Sequence, residues 1–189
     1  MSSTASDIFQ RHRLTVAEYH RIAEAGILAP DARVELIEGE TIDMPPSGSP
    51  HAGTVDYIAD VFRLACSGRA IVRAQNPVFL NLNSEPQPDI ALLRPRPDFY
   101  RSSHPTPADV FLIVEVADTS LAYDTQIKLP LYAHHGIPEV WLADLANRRF
   151  MVHRTPTPGG FQDVQTLTDL SALTPLLLPG VSIDLSDVF

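Results

Sequence analysis

Two acidic residues lie where an apolar pattern would not place them. Asp89 opens the apolar segment Asp-Ile-Ala-Leu-Leu, and Glu115 is the single charged residue of the run Phe-Leu-Ile-Val-Glu-Val at 111–116. If these segments are neighbouring strands, the two carboxylates meet at one rim of a sheet, where they repel each other unless a cation or a proton intervenes. Mg²⁺ takes one or two carboxylates and leaves positions open for phosphate oxygens. The pattern therefore indicates a divalent metal site that can polarise a phosphodiester.

One lysine adds a third group to this pair. The chain has fourteen basic residues, and Lys128 is the only lysine among them. Arginine is a wide planar fork, whereas lysine is a compact point charge that can reach one oxygen or a water in a tight pocket. We expect the Lys128 ammonium to orient a water or to neutralise negative charge that grows on the phosphorane.

Each of these residues can also have a purely structural role, and the sequence alone does not decide between that role and a catalytic one. Asp89 follows Pro88 and can cap a turn. A Glu115–Lys128 salt bridge without catalysis explains the buried acid equally well. Glu35 fits a solvent-facing strand position. Three arginines stand at and after the end of the segment that Asp89 opens, namely Arg94, Arg96 and Arg101; they are candidates for phosphate contacts, but a solvated charged loop accounts for them by default.

The elements that must position these residues follow from the apolar periodicity. Thr15 and Glu18 form a capping-box pattern, which predicts a helix over 15–27 that Gly26 and Pro30 end. Two short strands are predicted around Glu38-Gly39 within 33–44. A helical period covers 51–66. Extended segments are predicted at 70–75, 77–82 and 88–94, and the run at 111–116 is predicted to be a central strand that is covered on both faces.

The C-terminal half alternates between a helix and further strands. Residues 120–135 are helical in pattern except for Pro130, so the helix either kinks there or restarts near Leu129. The segments 139–144 and 148–154 are predicted to form a hairpin across 145–147, and Phe161 begins another strand. Residues 1–14 are predicted to be a flexible N-terminus. We expect 15–189 to be a single α/β domain.

Composition limits the classes of function. The 189 residues include 44% hydrophobic and 20% charged residues, as in soluble globular proteins. The net charge of −9 opposes long-range attraction of polyanions, but a local basic cleft is still compatible with it. Cys66 is the single cysteine, which excludes disulfides within the chain and zinc sites built from several cysteines. With no apolar run long enough for a bilayer and no secretory signal pattern, we expect a cytoplasmic protein that does not bind membranes.

A set of short motifs resembles a known family. They are Pro88-Asp89-Ile90, Val114-Glu115-Val116, Asp124 and Lys128 with Leu131-Tyr132-Ala133, Gly136-Ile137-Pro138-Glu139-Val140-Trp141, Asp144, and upstream Glu35-Leu36-Ile37-Glu38-Gly39-Glu40 with His51. Together they resemble the Uma-two endonuclease family of the PD-(D/E)XK nuclease superfamily, over roughly residues 15–189.

The resemblance implies a restriction-endonuclease-like α/β core with a four-stranded mixed sheet flanked by helices, and cleavage of DNA that depends on Mg²⁺ or Mn²⁺. It makes Asp89 and Glu115 metal ligands, with the Val116 carbonyl completing the set. It makes Glu35 an accessory acid, and Gln75 would line the same pocket. In the superfamily pattern the lysine lies two residues after the acid, where this chain has Ala117; the family places an equivalent lysine downstream, which Lys128 fits.

Two functions from different classes remain open on the sequence. The first is a metal-dependent endonuclease that uses water as the nucleophile. The second is a non-catalytic binding or assembly module, a homodimer that keeps the nuclease fold. A serine hydrolase is disfavoured because the chain has no Gly-x-Ser-x-Gly motif.

Overall fold

The computed structural model describes residues 11–29 and 31–189, and these form two compact units. The first unit contains the described residues up to Pro45 together with Leu80–Pro86, and the second contains Pro46–Phe79 and Gln87–Phe189. Residues 1–10 of the predicted flexible segment, and Pro30, lie outside the described residues. The single-domain assignment stays a prediction.

The first unit begins with helix α1 (Val16–Glu24). Thr15 caps it: the Glu18 N–H donates to Thr15 Oγ1, and the Thr15 N–H donates to Glu18 Oε2 at 2.8 Å, which is the predicted capping box. The helix is shorter than the predicted 15–27. It ends early because Gly26 adopts φ +72°, a left-handed conformation that reverses the chain direction after the last turn.

A hairpin follows in the same unit. Strands β1 (Val34–Ile37) and β2 (Glu40–Asp43) pair in antiparallel fashion. Glu38 and Gly39 between them both have positive φ, 49° and 80°, as the tight two-residue turn of a hairpin requires. The predicted N-terminal helix and β-hairpin are therefore confirmed.

The second unit is built on a six-stranded mixed sheet. Its order is β3-β4-β5-β6-β7-β8, in which β5 and β6 are parallel and the other neighbours antiparallel. The strands are β3 (Ile71–Ala74), β4 (Ile90–Leu93), β5 (Val110–Ala117), β6 (Glu139–Asp144), β7 (Arg149–Thr157) and β8 (Gly160–Leu167). Every residue of β5 is buried, as predicted for the central strand. The sheet has six strands rather than the implied four because hairpins add β7 and β8 at one edge.

The predicted strand at 77–82 is wrong. Val78 and Leu80 are buried while Leu82 is 70% exposed, so the alternation resembles a strand only in part. The backbone instead turns back on itself, and the Leu80 N–H donates to the Ser84 carbonyl at 3.0 Å. This local turn uses the groups that a sheet partner would need.

The helices of the second unit flank the sheet. Helix α2 (Ser49–Ala65) begins two residues before the predicted start, with Pro50 in its first turn, where a missing N–H costs nothing. It buries Phe62 edge-on against Trp141, with ring centroids 5.7 Å apart. Helix α3 (Leu121–Tyr123), a π-helical turn (Asp124–Lys128) and α4 (Leu129–His134) follow one another directly. Of the two alternatives that Pro130 left open, the structure agrees with an α-helix that starts at Leu129, and this helix continues the π turn without a break.

Among the residues that the structure describes, none of the helices combines the length and the apolar character needed to cross a bilayer.

Candidate active site

The pairing of β4 with β5 brings Asp89 to Glu115. Ile90 lies opposite Val114, so one residue further along the ladder Asp89 lies opposite Glu115. The Asp89 N–H points at Glu115 Oε2 across 3.3 Å, and the Val116 N–H donates to Asp89 Oδ2 at 2.9 Å. Both acids are buried, with Glu115 1% exposed. The sequence expectation that two neighbouring strands bring the carboxylates together therefore agrees with the register.

Lys128 reaches the same point from the helical side. It is the last residue of the π-helical turn, and its Nζ lies 2.7 Å from Glu115 Oε1. Its side chain is 4% exposed. A π turn inserts an extra residue into a helix, which rotates the side chains that follow, and such turns are frequent at functional sites. The structure thus brings Asp89, Glu115 and Lys128 into one cluster within the second unit.

Two further side chains hold the carboxylates. The Tyr132 hydroxyl donates to Glu115 Oε1 at 2.6 Å, and His51 Nε2 lies 3.2 Å from Asp89 Oδ2. In the sequence analysis these two residues stand only within the family motifs, and neither has an assigned role. Tyr132 fits an apolar helical pattern, so the sequence suggests only that its ring packs in the core. A buried tyrosine hydroxyl usually needs a hydrogen-bond partner, and this rule is the one feature that could have indicated a polar role.

Gln75 also lies at this cluster. Its N–H donates to the Asp89 carbonyl at 2.9 Å, and its side-chain Nε2 is 3.5 Å from Asp89 Oδ1. Gln75 has φ +52°, an uncommon conformation for a residue with a Cβ. Backbone strain of this kind concentrates at functional sites.

The other predicted site residues have different positions. Glu35 is buried on β1 of the first unit, not exposed as its strand pattern alone favoured. Val116 is buried on β5, and its N–H serves Asp89. The roles of Glu35 as an accessory acid and of the Val116 carbonyl as a ligand stay predictions.

The arginine-rich loop leaves β4 at its other end, after Leu93, away from Asp89. Within it the Arg96 guanidinium pairs with Asp98 and lies over the Tyr100 ring, 4.0 Å from its centroid. Arg94 donates to the Ala108 carbonyl and covers Phe111. The described contacts of Arg94 and Arg96 therefore tie the loop to itself and to β5.

The two carboxyl groups have opposite pKa shifts. Burial is the main cause that raises the pKa of Glu115 to about 8; the nearby charges of Asp89 and Asp124 raise it further, while the Lys128 ammonium lowers it. Burial also acts to raise the pKa of Asp89, but the hydrogen bond to His51, the ammonium of Lys128 and the Val116 N–H together lower it below its usual range. Asp124 is buried beside them and accepts a hydrogen bond of 2.6 Å from Ser120 Oγ.

These features fit a divalent cation. Three donors face Glu115, namely the Lys128 ammonium, the Tyr132 hydroxyl and the Asp89 N–H, and donors favour an ionised carboxylate. Burial and two neighbouring acids penalise that ionised form. Three buried acids, Asp89, Glu115 and Asp124, lie near one buried ammonium, so negative charge is in excess when all three are ionised and His51 is neutral. A hard cation bound to the oxygens of Asp89 and Glu115 would resolve this conflict.

Comparisons with known proteins place these residues in context. A family model with the description "Uma2: Putative restriction endonuclease" matches residues 16–186. Among solved structures, a crystal structure described as "a putative nuclease belonging to DUF820" from Anabaena variabilis is similar, with a TM-score of 0.70 and 18% sequence identity. The similarity covers 93% of this chain and 97% of that one, and it shows the shared fold. No curated protein matches the chain.

Proposed function

Because this chain belongs to the Uma2 family, as the motifs predicted, we propose that it is an endonuclease that hydrolyses phosphodiester bonds of DNA with Mg²⁺ or Mn²⁺. The observation that carries the proposal is the convergence of Asp89, Glu115 and Lys128. Two acids from adjacent strands and one ammonium supply oxygen ligands for a metal and a positive charge beside them.

Asp89 and Glu115 would hold the ion, and we assign the third protein ligand to the Val116 carbonyl. When bound, the ion polarises the phosphate and lowers the pKa of a coordinated water, which makes a nucleophile available near neutral pH. The protein contributes by fixing the two carboxylates in a buried place. Their positions follow from strand pairing rather than from a mobile loop, which favours a preorganised site.

Lys128 supplies positive charge at the point where negative charge grows during hydrolysis. Its Nζ is anchored on Glu115 Oε1, so the ammonium is held in place before the substrate arrives. A fixed charge of this kind is worth more in a buried site than in water. We assign Gln75, which touches Asp89, an accessory role in the same pocket, and Glu35 the role of accessory acid.

Substrate capture must depend on local groups. The net charge of −9 repels the DNA backbone at a distance, so attraction has to come from the site itself and from its cation. The cytoplasmic location and the homodimer stay predictions from the sequence.

Supercoiled plasmid and purified protein test the proposal. We expect cleavage with Mg²⁺ or Mn²⁺ and none with EDTA. Glu115→Gln and Asp89→Asn each replace a proposed metal-ligating carboxylate, and Lys128→Met removes the ammonium, so each should lower the rate by roughly 100-fold or more. The exposed acid Glu24 provides a matched control, and Glu24→Gln should cleave like the unmodified protein.

Equal cleavage by the unmodified protein and Glu115→Gln would point to a contaminating nuclease and would contradict the assignment. Calorimetry with Mn²⁺ separates the two functional classes. A folded protein that neither binds Mn²⁺ nor cleaves DNA would support the non-catalytic binding module instead.

A further inference from the structure

We propose that Tyr132 and His51 are positioning residues that each hold one oxygen of a metal-ligating carboxylate and so leave the other oxygen for the cation. The proposal rests on the proposed function, since it concerns the same two ligands. It assigns roles to two residues that act through Glu115 and Asp89.

The contacts of Glu115 are divided unequally between its two oxygens. Oε1 accepts from the Tyr132 hydroxyl at 2.6 Å and from the Lys128 ammonium at 2.7 Å. Oε2 accepts one longer hydrogen bond, from the Asp89 N–H at 3.3 Å. Oε1 is thus tightly held, and Oε2 keeps most of its capacity to accept.

The contacts of Asp89 are divided in the same way. Oδ2 accepts from the Val116 N–H at 2.9 Å and lies 3.2 Å from His51 Nε2. Oδ1 faces the amide of Gln75 at 3.5 Å, the outer limit of a hydrogen bond. Each carboxylate therefore has one oxygen bound by two donors and one oxygen that is weakly engaged.

This division has a consequence for metal binding. A carboxylate that is fixed at one oxygen cannot rotate freely, so its second oxygen is preorganised for a single bond to a cation. Groups that orient a metal ligand typically change metal affinity by about 10–100-fold when they are removed. Tyr132 and His51 occupy that place for Glu115 and Asp89.

The helix explains how Tyr132 arrives there. Lys128 and Tyr132 are four residues apart, so both lie on the same face of the helical segment and both reach Oε1. Tyr132 is fully buried, and its hydroxyl donates to Glu115 Oε1, whereas its ring packs in the interior. Tyr132→Phe would remove this hydrogen bond and keep the ring, so it separates the contact with the carboxylate from packing.

Direct Mn²⁺ binding to the full chain, measured by electron paramagnetic resonance and calorimetry, tests the proposal. We expect Tyr132→Phe and His51→Ala each to weaken Mn²⁺ binding about 10–100-fold. The metal concentration for half-maximal plasmid cleavage should rise by a similar factor, while KM for DNA at saturating metal should stay unchanged. A loss of packing alone would change the thermal midpoint in EDTA without this selective change in metal affinity.

Tyr100→Phe is the matched control. The Tyr100 hydroxyl is also held inside the protein, donating to the Arg94 carbonyl at 2.8 Å, but it belongs to the arginine-rich loop at the other end of β4. The Tyr100→Phe variant should bind Mn²⁺ with the same affinity as the unmodified protein. If the unmodified protein binds Mn²⁺ and both site variants bind it equally well, the positioning roles are refuted while the proposed function stands. If the unmodified protein binds no Mn²⁺, the proposed function itself is refuted, and this proposal with it.

Discussion

Replacement of Glu115 by Gln should change how the stability of the metal-free protein depends on pH. Glu115 is fully buried, and its pKa of about 8 in the folded protein compares with 4.5 for a solvated glutamate. The folded state therefore binds the proton more tightly than the unfolded state does. Stability is fully present below the unfolded pKa and is lost as the pH rises through the folded pKa. Gln has nearly the same shape and does not titrate.

The size of the effect follows from the two pKa values. Between them, each pH unit costs about 1.4 kcal/mol of unfolding free energy. Part of the titration of the unfolded state is already complete at pH 5, so the loss from pH 5 to pH 7 is roughly 2–3 kcal/mol. This is a large share of the roughly 5–15 kcal/mol that stabilises a typical domain.

Urea unfolding in EDTA at several pH values measures the effect. The difference in unfolding free energy between the unmodified protein and Glu115→Gln should move by about 2–3 kcal/mol in favour of the variant from pH 5 to pH 7. Glu24→Gln removes an exposed carboxylate and should run parallel to the unmodified protein. Parallel curves for Glu115→Gln would show that Lys128 and Tyr132 keep Glu115 ionised without a metal, and the conflict of charge inferred for this site would not exist.

Two further substitutions test other contacts of the second unit. Glu139 is fully buried and accepts hydrogen bonds from Arg154, from the Trp141 ring N–H and from the Leu176 N–H. Glu139→Ala leaves these donors without their partner, so it should lower the unfolding free energy measured in urea by about 3 kcal/mol. An unchanged urea midpoint would contradict a structural role for Glu139. Gln75→Gly removes a side chain at φ +52° and keeps the backbone hydrogen bond from residue 75 to the Asp89 carbonyl. In the same urea assay we expect an unfolding free energy within about 1 kcal/mol of the unmodified protein, but slower plasmid cleavage. Unchanged cleavage would exclude an accessory role for Gln75.

Elements with strong local signals could be predicted from the sequence. The apolar run of β5 has the composition of a strand covered on both faces, and all its residues are buried. The turn between β6 and β7 is also local, because Asp144 accepts from the Asn147 N–H at 3.1 Å and so closes it. The predicted strand at 77–82 failed for the opposite reason. Its alternation is weak, and hydrogen bonds with neighbouring loop residues decided its path.

Part of the candidate site could be predicted because charge is rare in apolar strands. Glu115 and Asp89 were identifiable by that contrast, and Lys128 by being the single lysine. The hydrogen bond from Tyr132 to Glu115 could not be predicted from the residue type, since a tyrosine in an apolar helical pattern is usually packed in a core. The π-helical turn is similarly hidden, because no residue type specifies it and tertiary contacts select it.

The position of Lys128 shows that this site is defined in space rather than by spacing in the chain. Along a strand, residues two apart point to the same face, so a lysine at 117 would lie beside Glu115, but the chain has a buried alanine there. The helical segment after β5 supplies the ammonium instead, and its π turn ends at the residue that contacts Glu115. Because Lys128 lies on a helical segment, the next turn of that segment also lies near Glu115, and Tyr132 in that turn donates to the same oxygen, Glu115 Oε1. A lysine on the helical segment, rather than on strand β5, therefore places a second hydrogen-bond donor, Tyr132, beside Glu115.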